Sequence, residues 1–385
     1  MIRSRRRIVM SAVALAAVAG IALVAGCGSS DDSTGSTGAD ATISIAMEGP
    51  LTGEQASNGQ DMLRGVQLAV DEANAMGGIL GRRITLIQAD DKADPATGKQ
   101  VARAVVDGEA MAVVGPYNSA VGIGNLPIYV DGKVVPVQMT SSDDTTGEGV
   151  TVQPKNSQIS PVEIGEIAGL KPAKVSMIVD PSAYTQGMAH RLKAGLSGKG
   201  INVSSVAITE GRKDYSTQVQ QALSGNPEVV YVSTYFPEGS IIARDLQIQS
   251  KKGTTTTCFM GLANQDPGFI TGAGIPASEN CMFSGVPTPD QFPTAAAYVK
   301  AYSTTFSKKP GVWGTFTYDS TKVLFDAMRT AKSTDYDTVL AQLRKTSAFP
   351  GATGAITIDP ETGNRVNAPV RILTVNGAGD FIVVS

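Results

Sequence analysis

The chain is 385 residues long, with 42% hydrophobic and 17% charged residues, enough apolar material for more than one core of ordinary domain size. Without the four arginines of its leader, 32 basic residues become 28 against 35 acidic ones, a formal charge near −7. That sign argues against nucleic acid as a partner, and the cysteines show no metal spacing.

The first residues are an address rather than part of a fold. Arg3, Arg5, Arg6 and Arg7 make a basic head, and Ile8 to Val24 form an uncharged apolar run, the pattern of an export signal. The run ends in Val24-Ala25-Gly26-Cys27, which resembles the bacterial lipobox. The resemblance implies a signal peptide over residues 1–26, cleavage before Cys27 and a lipid on its thiol, which would anchor the protein to the outer face of the cell membrane. An uncleaved anchor or an ordinary signal peptide is the alternative. Ser4-Arg5-Arg6-Arg7-Ile8 also resembles a twin-arginine signal, which leaves the export route open. Gly28 to Ala41, rich in Gly, Ser, Thr and Asp, has nothing to bury and reads as a tether, so residues 27–41 are lipid site and linker.

From residue 42 onward β-branched runs alternate with segments of helical period. Ile43 to Met47 reads as a strand, and Met62, Val66, Ala69, Val70 and Ala73 then share one helical face. Ile84 to Ala89 is the next strand, followed by a helix from Pro95 to Val106, a strand from Met111 to Val114, a helix after Ser119 and a strand from Val134 to Gln138. A second series has strands at Val175 to Val179, Val203 to Ile208, Val229 to Ser233 and Thr256 to Met260. Three helical stretches follow, Ala295 to Phe306, Gly314 to Thr330 and Tyr336 to Arg344, and the tail returns to strands at Ala355 to Ile358, Val370 to Val375 and Phe381 to Val384. The alternation implies an α/β fold with two doubly wound parallel-sheet lobes, some chain being exchanged late between them. Of the remaining cysteines, Cys258 and Cys281 sit in short apolar runs that suit neighbouring strands. An exported protein can join them in a disulfide or keep them as buried thiols.

Four blocks then carry a resemblance: Gly49-Pro50-Leu51-Thr52-Gly53, Gly65-Val66-Gln67-Leu68-Ala69, Ala73-Asn74-Ala75-Met76-Gly77-Gly78-Ile79-Leu80-Gly81 and Asp90-Asp91-Lys92-Ala93-Asp94-Pro95. In order and spacing they resemble the opening of the leucine/isoleucine/valine-binding proteins, which are type I periplasmic binding proteins. Val114-Gly115-Pro116, Tyr184-Thr185-Gln186-Gly187, Lys213-Asp214-Tyr215-Ser216 and Asp266-Pro267-Gly268-Phe269 extend it over almost the whole mature chain. The resemblance implies a three-segment hinge, with crossovers near Thr151, Pro287 and Gly351. Lobe 1 would be residues 42–151 and 287–350, and lobe 2 residues 152–286 and 351–385. It further implies capture of a small polar solute, an amino acid or a related carboxylate or amide, for an ABC permease. No cofactor, metal or catalytic step is implied. A sensor passing its closed state to a separate receptor or regulator is the alternative.

In open parallel sheets ligands bind at the carboxyl ends of strands, beside helix N-termini. Two such exits are Gly115-Pro116-Tyr117-Asn118-Ser119 and Met139-Thr140-Ser141-Ser142. Asn118, Ser119, Thr140, Ser141 and Ser142 therefore offer hydroxyl, amide and N–H groups for a carboxylate, or serve only as helix caps. By the resemblance Ser119 and Ser142 match carboxylate-binding positions, and Tyr184 and Tyr235 match pocket tyrosines. The departure is at Met260-Gly261-Leu262-Ala263-Asn264-Gln265-Asp266: amino-acid binders of the family carry an acid two positions after the glycine, and here that residue is Ala263. Asn264, Gln265 or Asp266 is left to replace it after a shift of the loop, Asp266 being equally suited to cap the next helix.

An enzyme finds little support. His190 is the single histidine and falls on a helix surface; Gly272-Ala273-Gly274-Ile275-Pro276-Ala277 fits a dinucleotide fingerprint in letters only. Trp313 and Tyr318 open a long apolar helix and read as core or hinge packing.

Overall fold

The computed structural model describes residues 42–253 and 255–384, so the leader, Cys27 and the tether lie outside the described residues. The first half of the chain alternates strongly. β1 (Ile43–Gly49), β2 (Ile84–Asp90), β3 (Ala112–Val114) and β4 (Val135–Val137) are separated by α1 (Ala56–Ala75), α2 (Pro95–Asp107) and α3 (Ser119–Asp131). All four strands are parallel in the order β2-β1-β3-β4. A parallel strand covered on both faces must be apolar nearly throughout, which is why Ile43, Ile45, Ala46, Met47, Ala112 and Val113 are all buried.

The second series supplies α4 (Asn156–Gly169), β5 (Lys174–Val179), α5 (Ala183–Ser197), β6 (Asn202–Ala207), α6 (Ser216–Leu223), β7 (Val229–Ser233), α7 (Phe236–Ser250), β8 (Thr257–Met260), α8 (Pro267–Ala273), α9 (Ile275–Ser278) and β9 (Cys281–Gly285). The chain closes with α10 (Ala296–Phe306), α11 (Val312–Ala331), α12 (Tyr336–Leu343), β10 (Phe349–Gly351), β11 (Gly354–Ile356), β12 (Arg371–Val375) and β13 (Phe381–Val383). The second sheet has the order β13-β12-β9-β8-β7-β5-β6. Cys258 and Cys281 are register partners on β8 and β9 and are joined by a disulfide.

The second sheet is not parallel throughout, as the sequence reading has it. Its β6-β5-β7-β8-β9 core is parallel, whereas β12 runs antiparallel to β9 and β13 antiparallel to β12. The turn between β12 and β13 is too short for a crossover and permits only the antiparallel hairpin. Ala355 to Ile358 likewise joins neither large sheet: β11 pairs only with β10 in a small hairpin.

The late helices return to the first sheet. α11 packs along α1, and the backbones touch: a Cβ on Gly65 would lie 2.0 Å from the Gly314 carbonyl oxygen. Asp61, buried on α1, accepts the N–H groups of Gly311 (2.8 Å) and Gly314 (2.6 Å) and the Tyr302 hydroxyl (2.8 Å), so it fixes where α11 begins. Between the sheets, the buried Asp319 of α11 accepts the N–H of Ala352 (2.7 Å) and of Thr353 (2.8 Å), and Arg365 donates to Thr353 Oγ1 at 2.8 Å. The passing segments are thereby pinned to a rigid helix.

Candidate functional site

The loops leaving β3, β4, β5, β7 and β8 converge with the start of α11 on one closed cavity of about 10 Å³, room for about one water molecule. That is far below the roughly 300–1,000 Å³ that houses a drug-sized ligand, so a solute enters only when the walls part. Four aromatic side chains dominate its wall. Tyr117 follows β3, Tyr184 opens α5, Tyr235 follows β7 and Trp313 opens α11. Ring centroids are 5.6 Å apart for Tyr117 and Trp313, 6.4 Å for Tyr117 and Tyr235, and 5.9 Å for Tyr184 and Tyr235.

The rings are held from behind by polar groups. Asp180, buried where β5 ends, accepts the N–H of Ser182 (2.8 Å), the N–H of Tyr235 (3.3 Å) and the Thr185 hydroxyl. One carboxylate thus ties the Tyr184 and Tyr235 loops together. Asp61 does the same service for Trp313 by fixing the first turn of α11. Burial raises the pKa of the Tyr117, Tyr184 and Tyr235 phenols, which therefore stay protonated as neutral donors.

On the first-sheet side Ser119 and Ser141 line the cavity. Ser119 Oγ accepts the Ser142 N–H at 3.1 Å, and Ser141 donates to the Pro154 carbonyl at 2.9 Å. Gln153 reaches in from the segment before α4; its amide N–H groups go to Ser141 Oγ (3.2 Å) and the Met139 carbonyl, and its Oε1 has no partner. Trp313 Nε1 and the Tyr184 hydroxyl are also without a well-formed hydrogen bond, although the Ala263 backbone N–H lies beside the latter. Buried donors and acceptors are almost always paired, so three unpaired ones around a single cavity mark it.

Among the described residues, no charged side chain lines this cavity. Lys155 lies behind the serines, fully buried, with Nζ donating to Thr145 Oγ1 (2.7 Å), Gln138 Oε1 (3.0 Å) and the Ser142 carbonyl (3.1 Å). Burial pulls its pKa down to about 7 against the opposing pull of Asp143 and Asp144. Behind the tyrosines, Glu163 accepts the Tyr231 hydroxyl at 2.9 Å and the Ser284 hydroxyl, and burial pushes its pKa up to about 8.

The residues singled out in the sequence separate in space. Ser119, Ser141, Tyr184 and Tyr235 line the cavity. Asn118 faces an outer recess that also holds Glu54, Glu210 and Glu238, and its amide donates to Gln55 Oε1 at 2.9 Å. Thr140 belongs to the Lys155 network, where it meets Thr145 Oγ1 at 2.6 Å and Gln138. Ser142 braces Ser119 and donates to the Asp144 carboxylate at 3.2 Å. Asn264 donates to the Thr234 (2.9 Å) and Gly261 (3.2 Å) carbonyls, shaping its loop from within. Asp266 N-caps α8 through the Gly268 N–H (2.5 Å), accepts the Ser57 hydroxyl (3.0 Å), and faces a neighbouring groove. Burial raises its pKa to about 6.

Trp313 corrects the sequence reading: its ring closes the cavity instead of merely packing the core. Tyr117 and Gln153 were not singled out either. Tyr117 sits at a strand exit, beside Asn118 and Ser119; Gln153 and Trp313 belong to a connecting segment and a helix start, away from any strand exit. His190 is exposed on α5, and the Gly272 run falls on α8 and α9, with no strand leading into it.

Residues 42–380 match the model of a family described as periplasmic binding protein. The chain belongs to that family. It is 31% identical to the Leu/Ile/Val-binding protein BraC3 of Rhizobium johnstonii, over 85% of this chain and 89% of that one. It superposes on the leucine-binding protein LivK of Thermotoga maritima with a TM-score of 0.82 at 25% identity, covering 89% of this chain and 98% of that one. The isoleucine complex of LivJ from Streptococcus pneumoniae gives 0.79 at 23% identity, with 89% and 98% covered. The fold is thus that of the type I periplasmic binding proteins, and the chain is a solute-binding protein, not an enzyme. Ala263 is buried on the cavity wall and presents only a methyl group to it.

Proposed function

We propose that the protein is the extracytoplasmic solute-capturing lipoprotein of an ABC importer, held to the membrane by a lipid on Cys27. Its two lobes, residues 42–151 with 287–350 and residues 152–286 with 351–385, close on a small carboxylate-bearing solute, an amino acid or a relative. One observation carries the reading: the cavity wall comes from both sheets, Tyr117 and Ser119 from the first and Tyr184, Tyr235 and Ala263 from the second. Full contact with a solute then exists only in the closed state, which ties affinity to closure. Contacts bridging the two sides support it: Ser57 to Asp266, and Arg191 Nη2 to Asp143 Oδ2 at 2.7 Å. Ser119 and Ser141, with the first turn of α3, are the proposed carboxylate grip, and Tyr184, Tyr235 and Trp313 the cover. The relatives named as Leu/Ile/Val-binding proteins point to amino-acid-like solutes and to a transporter partner.

Trp313 is the single tryptophan and lies on the cavity, so its emission reports occupancy directly. Saturable emission changes with a solute, together with a smaller radius of gyration in solution scattering, are the expected result. A binding solute that leaves the scattering curve unchanged would refute the clamp. The anchor is tested apart: Cys27→Ser should move the protein from the membrane fraction into the medium, and retention at the membrane would remove the lipid from the proposal.

A further inference from the structure

We propose that the solute selected by this cavity is an aromatic carboxylate without an ammonium group. The inference rests on the capture reading above and adds the ligand class to it.

The case begins with charge. An α-amino acid brings an ammonium that needs an anionic partner once water is excluded. Ala263 gives it a methyl group, and no other carboxylate lines the cavity. Nearby acids are already engaged. Asp266 faces the adjoining groove and accepts from Ser57 and Gly268. Glu163 is sealed behind Tyr231 and Ser284, and burial favours its neutral form. The acids of the outer recess meet the cavity only across Tyr235, which lines both.

The opposite charge is better served. Trp313 Nε1–H can only donate and has no acceptor; Ser119 Oγ already accepts from Ser142 and keeps its hydrogen to give. Tyr184 adds a further donor, and all three residues are at least nine-tenths buried. Asn118 leaves the α3 N-terminus without a side-chain cap. Each of these favours an anionic head. Once the walls part to admit a solute, their aromatic side chains suit a flat ring through stacked or edge-on contacts. Gln153 Oε1 is an unpaired acceptor, so a hydroxyl on that ring would gain a partner.

A soluble form without the leader and lipid site, residues 28–385, is freed of bound solute by unfolding and refolding and titrated calorimetrically with benzoate, 4-hydroxybenzoate, phenylpyruvate, L-phenylalanine, L-leucine and glycine betaine. The aromatic acids should bind at least about tenfold more tightly than the amino acids, and Ala263→Glu should reverse the order by placing a like charge beside the carboxylate and a partner beside the ammonium. An amino acid binding more tightly than its deaminated counterpart overturns the class and leaves capture intact. So does tight binding of betaine, which would make the rings a cation cage. If no probe binds, the class is wrong; the capture reading falls with it only if a small-molecule extract of spent medium also leaves Trp313 emission unchanged.

Discussion

Tyr184→Phe removes one oxygen from the cavity and separates the needs of the fold from those of the ligand. In the closed arrangement the hydroxyl is buried with no well-formed hydrogen bond, only the Ala263 N–H lying beside it. Leaving a polar group so placed costs about 1–3 kcal/mol, so deleting it should stabilise the closed arrangement, by about 1 kcal/mol after the loss of that weak contact. For a chain of this size unfolding as one unit, that is a Tm rise of about 1–2 °C. Binding should move the other way: a bound solute that accepts from Tyr184 loses a neutral hydrogen bond of about 1 kcal/mol, roughly a fivefold rise in Kd. The assay is paired thermal unfolding and titration with one preparation. A variant that is both less stable without ligand and unchanged in affinity would refute the reasoning, because the hydroxyl would then serve the fold and not the solute.

Glu163→Gln keeps an acceptor for Tyr231 and Ser284 but cannot ionise. Folding raises the Glu163 pKa to about 8 from an ordinary value of 4.5, so its stabilisation is complete below about pH 4.5 and is lost as pH climbs through 8. The variant should gain on the wild type by about 1.4 kcal/mol per pH unit between those limits, and parallel stability profiles would show that Glu163 titrates normally. Replacing Cys258 and Cys281 together by Ala opens a loop with a sequence separation of 23 and should cost about 3 kcal/mol in denaturant unfolding. Equal midpoints for the variant and the oxidised wild type would mean that the bond adds no stability. Gly65→Ala drives a methyl group into the Gly314 carbonyl and should destabilise by about 1–3 kcal/mol despite the better helix propensity of alanine; a neutral result would mean that α1 and α11 can part freely.

The order of elements was legible because parallel strands buried on both faces leave continuous apolar runs, as at Val229–Ser233, and the helices between them keep one apolar stripe. Ser119, Ser141, Tyr184 and Tyr235 could be found for a related reason. A strand exit is a local feature, and the rule that ligands sit at such exits turns sequence position into site position. The same rule also collected Thr140 and Asn118, neighbours of true wall residues that face elsewhere. Adjacent residues in a loop point in different directions, and sequence does not record which.

The sequence by itself determined the alternation of strands and helices and the absence of an acid at position 263, since each is written in residues close along the chain. Tertiary structure decided the rest. Trp313 reaches the cavity because Asp61, more than two hundred residues earlier, fixes the start of its helix. Lys155 is fully buried because Thr145, Gln138 and Ser142 fold around its ammonium, although its position at the head of a helix reads as surface. Hydrophobic period and turn chemistry act over a few residues, whereas the cavity wall is assembled from segments that meet only when both sheets and the late helices have packed.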